Sequence, residues 1–471
     1  METKHLIALP LLIAAAVVGM AASGFSRRVR EAVFFLLVAG AVLVELMDVN
    51  FFTHFWYRGT TRGLEISLSD ILALSLLAGV CFGRAPANGR RTFWPIGLAP
   101  LLIYFLYAAF SVVVSEPHIF GFFELTKILR GLLVFLAVAF FVRGPRELTL
   151  LVLGLGCAVG LEGLLAFKQH MLGGVYRAQG TLDHPNSLSM YLCLTGPVLV
   201  AAAAAKLPGW VRGFSGVALL AAAIAVLFTV SRAGVPVFFF VTLAATAACV
   251  SWRVTPRKLA VAGVIVLAGA ILVKSSWTTL KARYGEATLA TEYLDPNSEG
   301  RGYYLRMASA ILQDRALGVG LNNWSYWVSK SYGNRLGYMY EDYDDLYFTP
   351  SKEILSSIHY AAPAHSLAAL TAGELGIPGL VLFTVLWIRW MAAGVTFLPG
   401  NSTDPMRQLG VGCFFGLLGM LMQSTTEWTF RQTPIFFTSH VLLGVLAALY
   451  YQRRLKRLGG VVQPVNLARG D

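Results

Sequence analysis

The sequence predicts an all-α polytopic membrane protein with one large extramembrane loop in its second half. Three observations carry this. Hydrophobic residues fill 56% of the 471 positions and charged ones only 13%, with mean hydropathy +0.64, whereas a soluble domain carries roughly 25% charged residues. The apolar residues fall in blocks of about twenty, the length that crosses a hydrocarbon core. A single long stretch, 274–365, breaks that pattern. It holds Arg283, Arg301, Arg306 and Arg315, an acidic knot at Glu341, Asp342, Asp344 and Asp345, and many Trp and Tyr.

Taken in order, the apolar blocks lie at 6–24, 32–47, 66–83, 93–114, 126–142, 149–167, 187–205, 214–230, 234–251, 259–273, 367–388, 409–425 and 435–451. They predict about thirteen transmembrane helices. The organisation is then helices one to ten over 1–273, the loop over 274–365, helices eleven to thirteen over 366–451, and a basic tail over 452–471. The first block is followed by Arg27, Arg28 and Arg30, the reverse of a cleavable signal, so it reads as a span. Basic clusters recur in every second connection, and the positive-inside rule puts them in the cytoplasm. The amino terminus and the long loop then lie outside, the carboxyl terminus inside. The net charge of +13 is dispersed in these clusters, which argues against a nucleic-acid face. Cys81, Cys157, Cys193, Cys249 and Cys413 each sit in an apolar block and suggest neither a disulfide framework nor a metal site.

Within the loop, Leu305, Ala308, Ile311 and Leu312 recur at helical spacing after Gly300. Gly318-Val319-Gly320 is expected to stop that helix. Next come Trp324, Tyr326, Trp327, Tyr332, Tyr338, Tyr340, Tyr343, Tyr347 and Phe348. They fit either an interfacial aromatic belt or a platform for sugar rings.

Ionisable residues at or inside the outer boundary are costly and therefore candidates for function. Lys127 and Arg130 share a face at the expected outer end of the fifth span, able to snorkel to headgroups or hold a diphosphate. Arg177 opens an outer loop that runs through His184 to Asn186 and Ser187, the last two being good helix caps. Arg232 lies in a tight link between spans with no acid close by in sequence; its guanidinium needs a membrane or substrate phosphate. Arg301 starts the loop helix beside Glu299, an exposed pair worth little in itself. His365 closes the loop where the chain re-enters the membrane, placed to act as base, hydrogen-bond donor or cap. Glu374 lies about two turns deeper, where a carboxylate must pair and an arginine is the natural partner. No metal-ligand spacing is present, apart from Asp342/Asp344 in mid-loop, so no metal or other cofactor is expected.

Ser231-Arg232-Ala233-Gly234, Gly300-Arg301, Gly318-Val319-Gly320, Ala364-His365-Ser366 and Glu374-x-Gly-x-x-Gly379, in that order and on that side, resemble the O-antigen ligase and polymerase family. The loop from Arg177 to Asn186 is similar to another of its outer-loop motifs, and the likeness runs from about 176 to 380. Three positions depart from the pattern: Ser366 where Asn usually follows the histidine, Leu305 where Trp is common, and Ala316 for a usual Pro. The resemblance implies a GT-C-like architecture in the bacterial inner membrane, with the large loop periplasmic. It implies transfer of a glycan from undecaprenyl diphosphate to an acceptor hydroxyl such as a lipid A core sugar, without nucleotide or metal. Under that implication, Arg232 and Arg301 would clamp the diphosphate, helped by Arg177 and by Lys127 or Arg130. His365 would orient or deprotonate the acceptor. His184 and Asn186 would line the substrate site, and Glu374 would position an arginine or the histidine. A ligase is favoured over a polymerase of O-antigen or exopolysaccharide. A protein O-glycosyltransferase or a polysaccharide flippase follows further behind, since transporters keep their polar groups near the bilayer midplane.

Overall fold

The fold was taken from a computed structural model, which describes residues 3–83, 93–250, 281–282, 285, 289–294, 300–343, 359–400 and 402–457. The chain begins with α1 (Thr3–Phe25) and α2 (Arg27–Gly40), then a β-hairpin of β1 (Asp48–Phe51) and β2 (Leu64–Ser67). Then come α3 (Leu68–Phe82), α4 (Leu98–Val114), α5 (His118–Phe141), α6 (Pro145–Phe167), α7 (Pro185–Ala204), α8 (Gly209–Phe228) and α9 (Gly234–Cys249). The loop contributes α10 (Leu289–Tyr293) and α11 (Arg301–Asp314), and the chain ends on α12 (Leu367–Val395), α13 (Pro405–Ser424) and α14 (Thr433–Arg457).

Among the described residues seven helices are long and apolar enough to cross a membrane: those in α1, α6, α7, α8, α12, α13 and α14. The shorter α3, α4 and α9 are also apolar, and α5 is long but carries Glu124, Lys127 and Arg130 along its middle. The protein is thus multi-pass and all-α, with the hairpin as a local exception. Each expected block except one falls on these helices. The block at 32–47 divides into α2 and a 3-10 turn (Ala41–Leu46), and the block at 259–273 lies outside the described residues.

Local chemistry starts the helices. Ser67 and Asp70 form a reciprocal capping box at α3, Ser366 caps α12 by accepting from the Ala369 amide at 3.3 Å, and Pro opens α6, α7 and α13. The apolar window of α14 is 94% buried and that of α7 89%, against 6% for α1, so α7 and α14 form the centre and α1 a lipid-facing edge. α13 lies tight on α7 because Gly416 leaves room: a Cβ there would come 2.1 Å from the Leu194 carbonyl oxygen.

α12 is broken in its first third, where Gly376 has φ 67°. A break inside a membrane helix frees carbonyls that need new donors. The loop and α4 supply them: Val319 N–H reaches the Gly373 oxygen at 2.9 Å and Gly320 N–H the Glu374 oxygen at 2.8 Å, while Tyr107 Oη of α4 donates to the Leu375 oxygen at 2.8 Å. The two glycine motifs of the sequence are therefore the two halves of one joint. It seats the loop against α12.

The loop has its own core, and here two expectations are corrected. α11 buries Tyr303, Met307, Ala308 and Ile311, but Leu305 is 48% exposed, because the buried stripe is set by the α12 surface it packs on. The aromatic segment is divided: Trp324, Tyr332 and Tyr343 are buried, while Tyr326, Trp327, Tyr338 and Tyr340 are half-buried. Trp324 and Tyr332 pack with α11 and the start of α12, and Tyr343 packs with Tyr57, Phe120 and Tyr360. The Tyr343 cluster holds the loop to α5 and the hairpin, so for Trp324, Tyr332 and Tyr343 belt and sugar platform give way to core. Arg283, Asp344, Asp345, Tyr347 and Phe348 lie outside the described residues.

Candidate functional site

α13 ends at Ser424, and the chain turns through 425–431 before α14 begins. That turn presents Glu427, whose carboxylate is 3% exposed and gathers residues from three other parts of the chain. His365 Nδ1 lies 2.9 Å from Oε2. Arg301 Nη2 donates to Oε1 at 3.2 Å and Asn186 Nδ2 donates to the same oxygen at 2.8 Å. Arg301 is fixed further by its Nε–H to the Thr426 carbonyl at 3.1 Å. Burial pushes the Glu427 carboxyl up, but the hydrogen bond from His365 and the charges of His365, Arg301 and His184 more than offset it and hold it below 4.5.

The geometry sets the histidine's chemistry. A carboxylate can only accept, so neutral His365 carries its proton on Nδ1 and leaves Nε2 as an acceptor. Its side chain is 35% exposed, open enough to meet a substrate hydroxyl. Because Ser366 takes the capping role at α12, His365 is free of it. Ser and Asn are both strong caps, so Ser366 in place of the usual Asn keeps this division of labour.

Arg232 and Arg301 meet on a second carboxylate. Glu292, on α10, accepts from Arg232 Nη2 through Oε1 and from Arg301 Nη1 through Oε2, the latter at 2.7 Å. Two expectations change here. Glu292 is an acidic partner for Arg232, 60 positions along the chain. Arg301 is half-buried between two carboxylates rather than exposed, and Glu299 lies outside the described residues.

Asn186 joins the outer loop to this cluster. Its Oδ1 accepts from Arg177 Nη2 at 2.9 Å while its Nδ2 serves Glu427, a pairing that fixes the amide's orientation. Arg177 Nε–H also reaches the Thr229 carbonyl at 3.1 Å. His184, not Asn186 or Ser187, caps α7, accepting from the Asn186 amide at 3.1 Å. The buried Glu162 of α6 holds this loop by accepting from Thr181 N–H at 2.9 Å. Asn186, Arg232, Arg301 and His365 thus meet on two carboxylates that the sequence reading did not flag, with Arg177 joined to them through Asn186 and His184 at the start of α7 beside it.

Lys127, Arg130 and Glu374 belong elsewhere. α5 begins at His118, so Lys127 and Arg130 lie inside the helix, not at its end. Lys127 is buried: Nζ sits 2.7 Å from Glu124 and donates to Thr61 Oγ1 and the Arg431 carbonyl, each at 2.7 Å. Arg130 pairs with Asp70 at 2.9 Å and Glu65 at 3.2 Å. Glu374 does pair with an arginine, but with Arg431, at 2.5 Å, which also holds Glu124 at 3.0 Å. It positions neither His365 nor Arg232 and Arg301 through any direct contact described. An apolar groove of about 850 Å³, lined by Val112, Val113, Pro117, Ile119, Phe122 and Tyr326 among others, lies at the α4–α5 corner and includes none of the candidate residues.

The sequence reading missed Glu427, Glu292, Arg431, Glu124 and Glu162. Glu427 and Arg431 were detectable, since both are ionisable residues between two apolar blocks at the expected outer boundary. Glu292 gave no such signal, being one acid among several in a polar loop.

No curated protein matches the chain. Residues 217–384 match the family model Wzy_C, described as O-antigen ligase. The matched segment contains Arg232, Glu292, Arg301, His365 and Glu374, while Arg177, Asn186 and Glu427 come to the same cluster from outside it. Ligase-like or polymerase-like glycosyltransferase activity is what this match supports. The chain is therefore a multi-pass membrane protein in which residues 217–384 are similar to the O-antigen ligase family.

Proposed function

We propose that the protein is an O-antigen ligase-like glycosyltransferase. It moves a glycan from undecaprenyl diphosphate to an acceptor hydroxyl, a lipid A core sugar or similar, at the periplasmic face of a bacterial inner membrane. The observation that supports this best is the single carboxylate of Glu427 shared by His365 and Arg301. It sets a base for the incoming hydroxyl beside a cation for the departing phosphate. His365 Nε2 takes the hydroxyl proton as the acceptor oxygen bonds to the sugar's anomeric carbon. The bond from that carbon to the phosphate breaks, and undecaprenyl diphosphate leaves with the electron pair. Arg301 and Arg232 stabilise the charge that grows on it, and Arg177 supports the cluster through Asn186. This chemistry asks for no metal or other cofactor. Lys127 and Arg130 keep the hairpin and the 425–431 turn in place in this reading, and Glu374 works through Arg431.

The assay is release of undecaprenyl diphosphate when purified protein meets glycan donor and acceptor. Wild type should release it and His365→Ala should not, while the variant still folds. Full activity of that variant would remove the base, and movement of intact donor without release would mark a flippase. A polymerase would use the same donor and site, so the acceptor decides between them. Loss of glycan from lipid A core in a deletion strain supports a ligase, and loss of chain length alone supports a polymerase.

A further inference from the structure

The position between the two arginines already holds an anion. Each oxygen of Glu292 serves a different guanidinium, Oε1 for Arg232 and Oε2 for Arg301, which is how a bridging diphosphate would divide its oxygens. The two carboxylates of the site differ in kind. Glu427 is 3% exposed and has donors from Arg301, His365 and Asn186. Glu292 is 15% exposed, and the arginines that flank it are 22% and 17% exposed. Arg301 is independently anchored by Glu427 and the Thr426 carbonyl, so its aim does not depend on Glu292. One carboxylate is built in and the other is exchangeable.

We propose that Glu292 is a placeholder for the donor's diphosphate and sets the charge a ligand must carry to enter. This rests on the transfer reading above. The carboxylate fills the space between Arg232 and Arg301 in the free protein and is displaced when a doubly charged diphosphate bridges them. A singly charged group gains too little to displace it, because it replaces one charge by another of equal size. The surrounding membrane offers phosphodiester headgroups in large excess, each with one phosphate charge available to an arginine. Glu292 thus excludes bulk anionic lipid from the site while admitting the lipid diphosphate.

The test uses the full chain in phosphatidylcholine nanodiscs, with undecaprenyl diphosphate as probe and phosphatidylglycerol as competitor. Glu292→Gln and Glu292→Ala should bind the diphosphate lipid about fivefold more tightly than wild type, the size of one partly exposed ion pair. Phosphatidylglycerol should compete in both variants and not in wild type. Labelling of wild type by a carbodiimide should rise at Glu292 when diphosphate binds, a readout that needs no variant. Weaker binding by the variants, or equal binding with unchanged labelling, overturns the placeholder and leaves the transfer reading intact. Failure of wild type and both folded variants to bind the diphosphate lipid overturns the transfer reading itself.

Discussion

Replacing Glu427 by Gln changes little in shape and much in chemistry. The native carboxylate accepts from His365, Arg301 and Asn186. The amide has one oxygen and an NH2 that donates, so it cannot accept from both sides. If its oxygen keeps Arg301 and Asn186, its NH2 faces His365 Nδ1 and forces the ring to carry its proton on Nε2. The histidine then meets the acceptor hydroxyl with a donor where an acceptor is required. A misassigned base of this kind costs on the order of 10²–10⁴ in rate, or about 3–5 kcal/mol of barrier. Stability falls less, because Arg301 retains Glu292 and one charge-assisted hydrogen bond is worth roughly 1.5–3 kcal/mol. Turnover should be followed as release of undecaprenyl diphosphate, alongside a thermal unfolding curve in the same detergent. A folded Glu427→Gln protein with wild-type turnover would falsify the assignment of His365 as a base held by Glu427.

Three further outcomes follow from the geometry. Arg431→Met leaves Glu374 and Glu124 buried with Lys127 as the remaining cation of that network, and breaking a buried pair in this way costs roughly 3–5 kcal/mol; a loss below about 1 kcal/mol in denaturant unfolding would show the network to be dispensable. Gly180→Ala puts a Cβ 1.9 Å from Glu162 Oε2 at a residue with φ 67°, so the thermal midpoint should fall by the equivalent of roughly 1–3 kcal/mol, and an unchanged midpoint would contradict the fit of this loop to α6. Glu427 titrates below 4.5 in the folded protein, so its contribution to stability is complete above 4.5 and is lost as pH falls through the lowered value. The stability gap between wild type and Glu427→Gln should therefore narrow in acid, and a gap independent of pH would count against a charged Glu427.

The membrane class was legible because it depends on composition and block length, which every residue helps to report. The candidate cluster was legible where a cation or imidazole sat alone at a boundary, as Arg232 and His365 do. What escaped was pairing. Sequence shows that Arg232 and Glu374 need partners but not that Glu292 and Arg431 are those partners, 60 and 57 positions away. The error at Lys127 has the same origin. Hydropathy placed the span's start at 126, whereas the helix begins at His118, after Pro117, and accommodates Glu124 and Lys127 inside it by pairing them. The hairpin was missed because its strands have four residues each, too few for alternation to register.

The buried ion network and the candidate site are joined by one short piece of chain. Glu427 and Arg431 lie four residues apart on the turn between α13 and α14. Arg431 is tied to α5 by Glu124 and to the broken helix α12 by Glu374, and its carbonyl accepts from Lys127. The turn therefore cannot shift without breaking a buried pair, and Glu427 inherits that rigidity. Through Glu427 it passes to Arg301, at the start of α11 within the loop, and to His365, at the loop's end. α12 is held from the same direction, since its break at Gly376 is bonded to the loop by Val319 and Gly320. A base and a cation supplied by a long loop would be poorly placed if the loop alone fixed them. Anchored to a turn locked inside the membrane helices, they keep their spacing, and this gives the four charges on Glu124, Lys127, Glu374 and Arg431 a reason to be buried that contact with substrate does not.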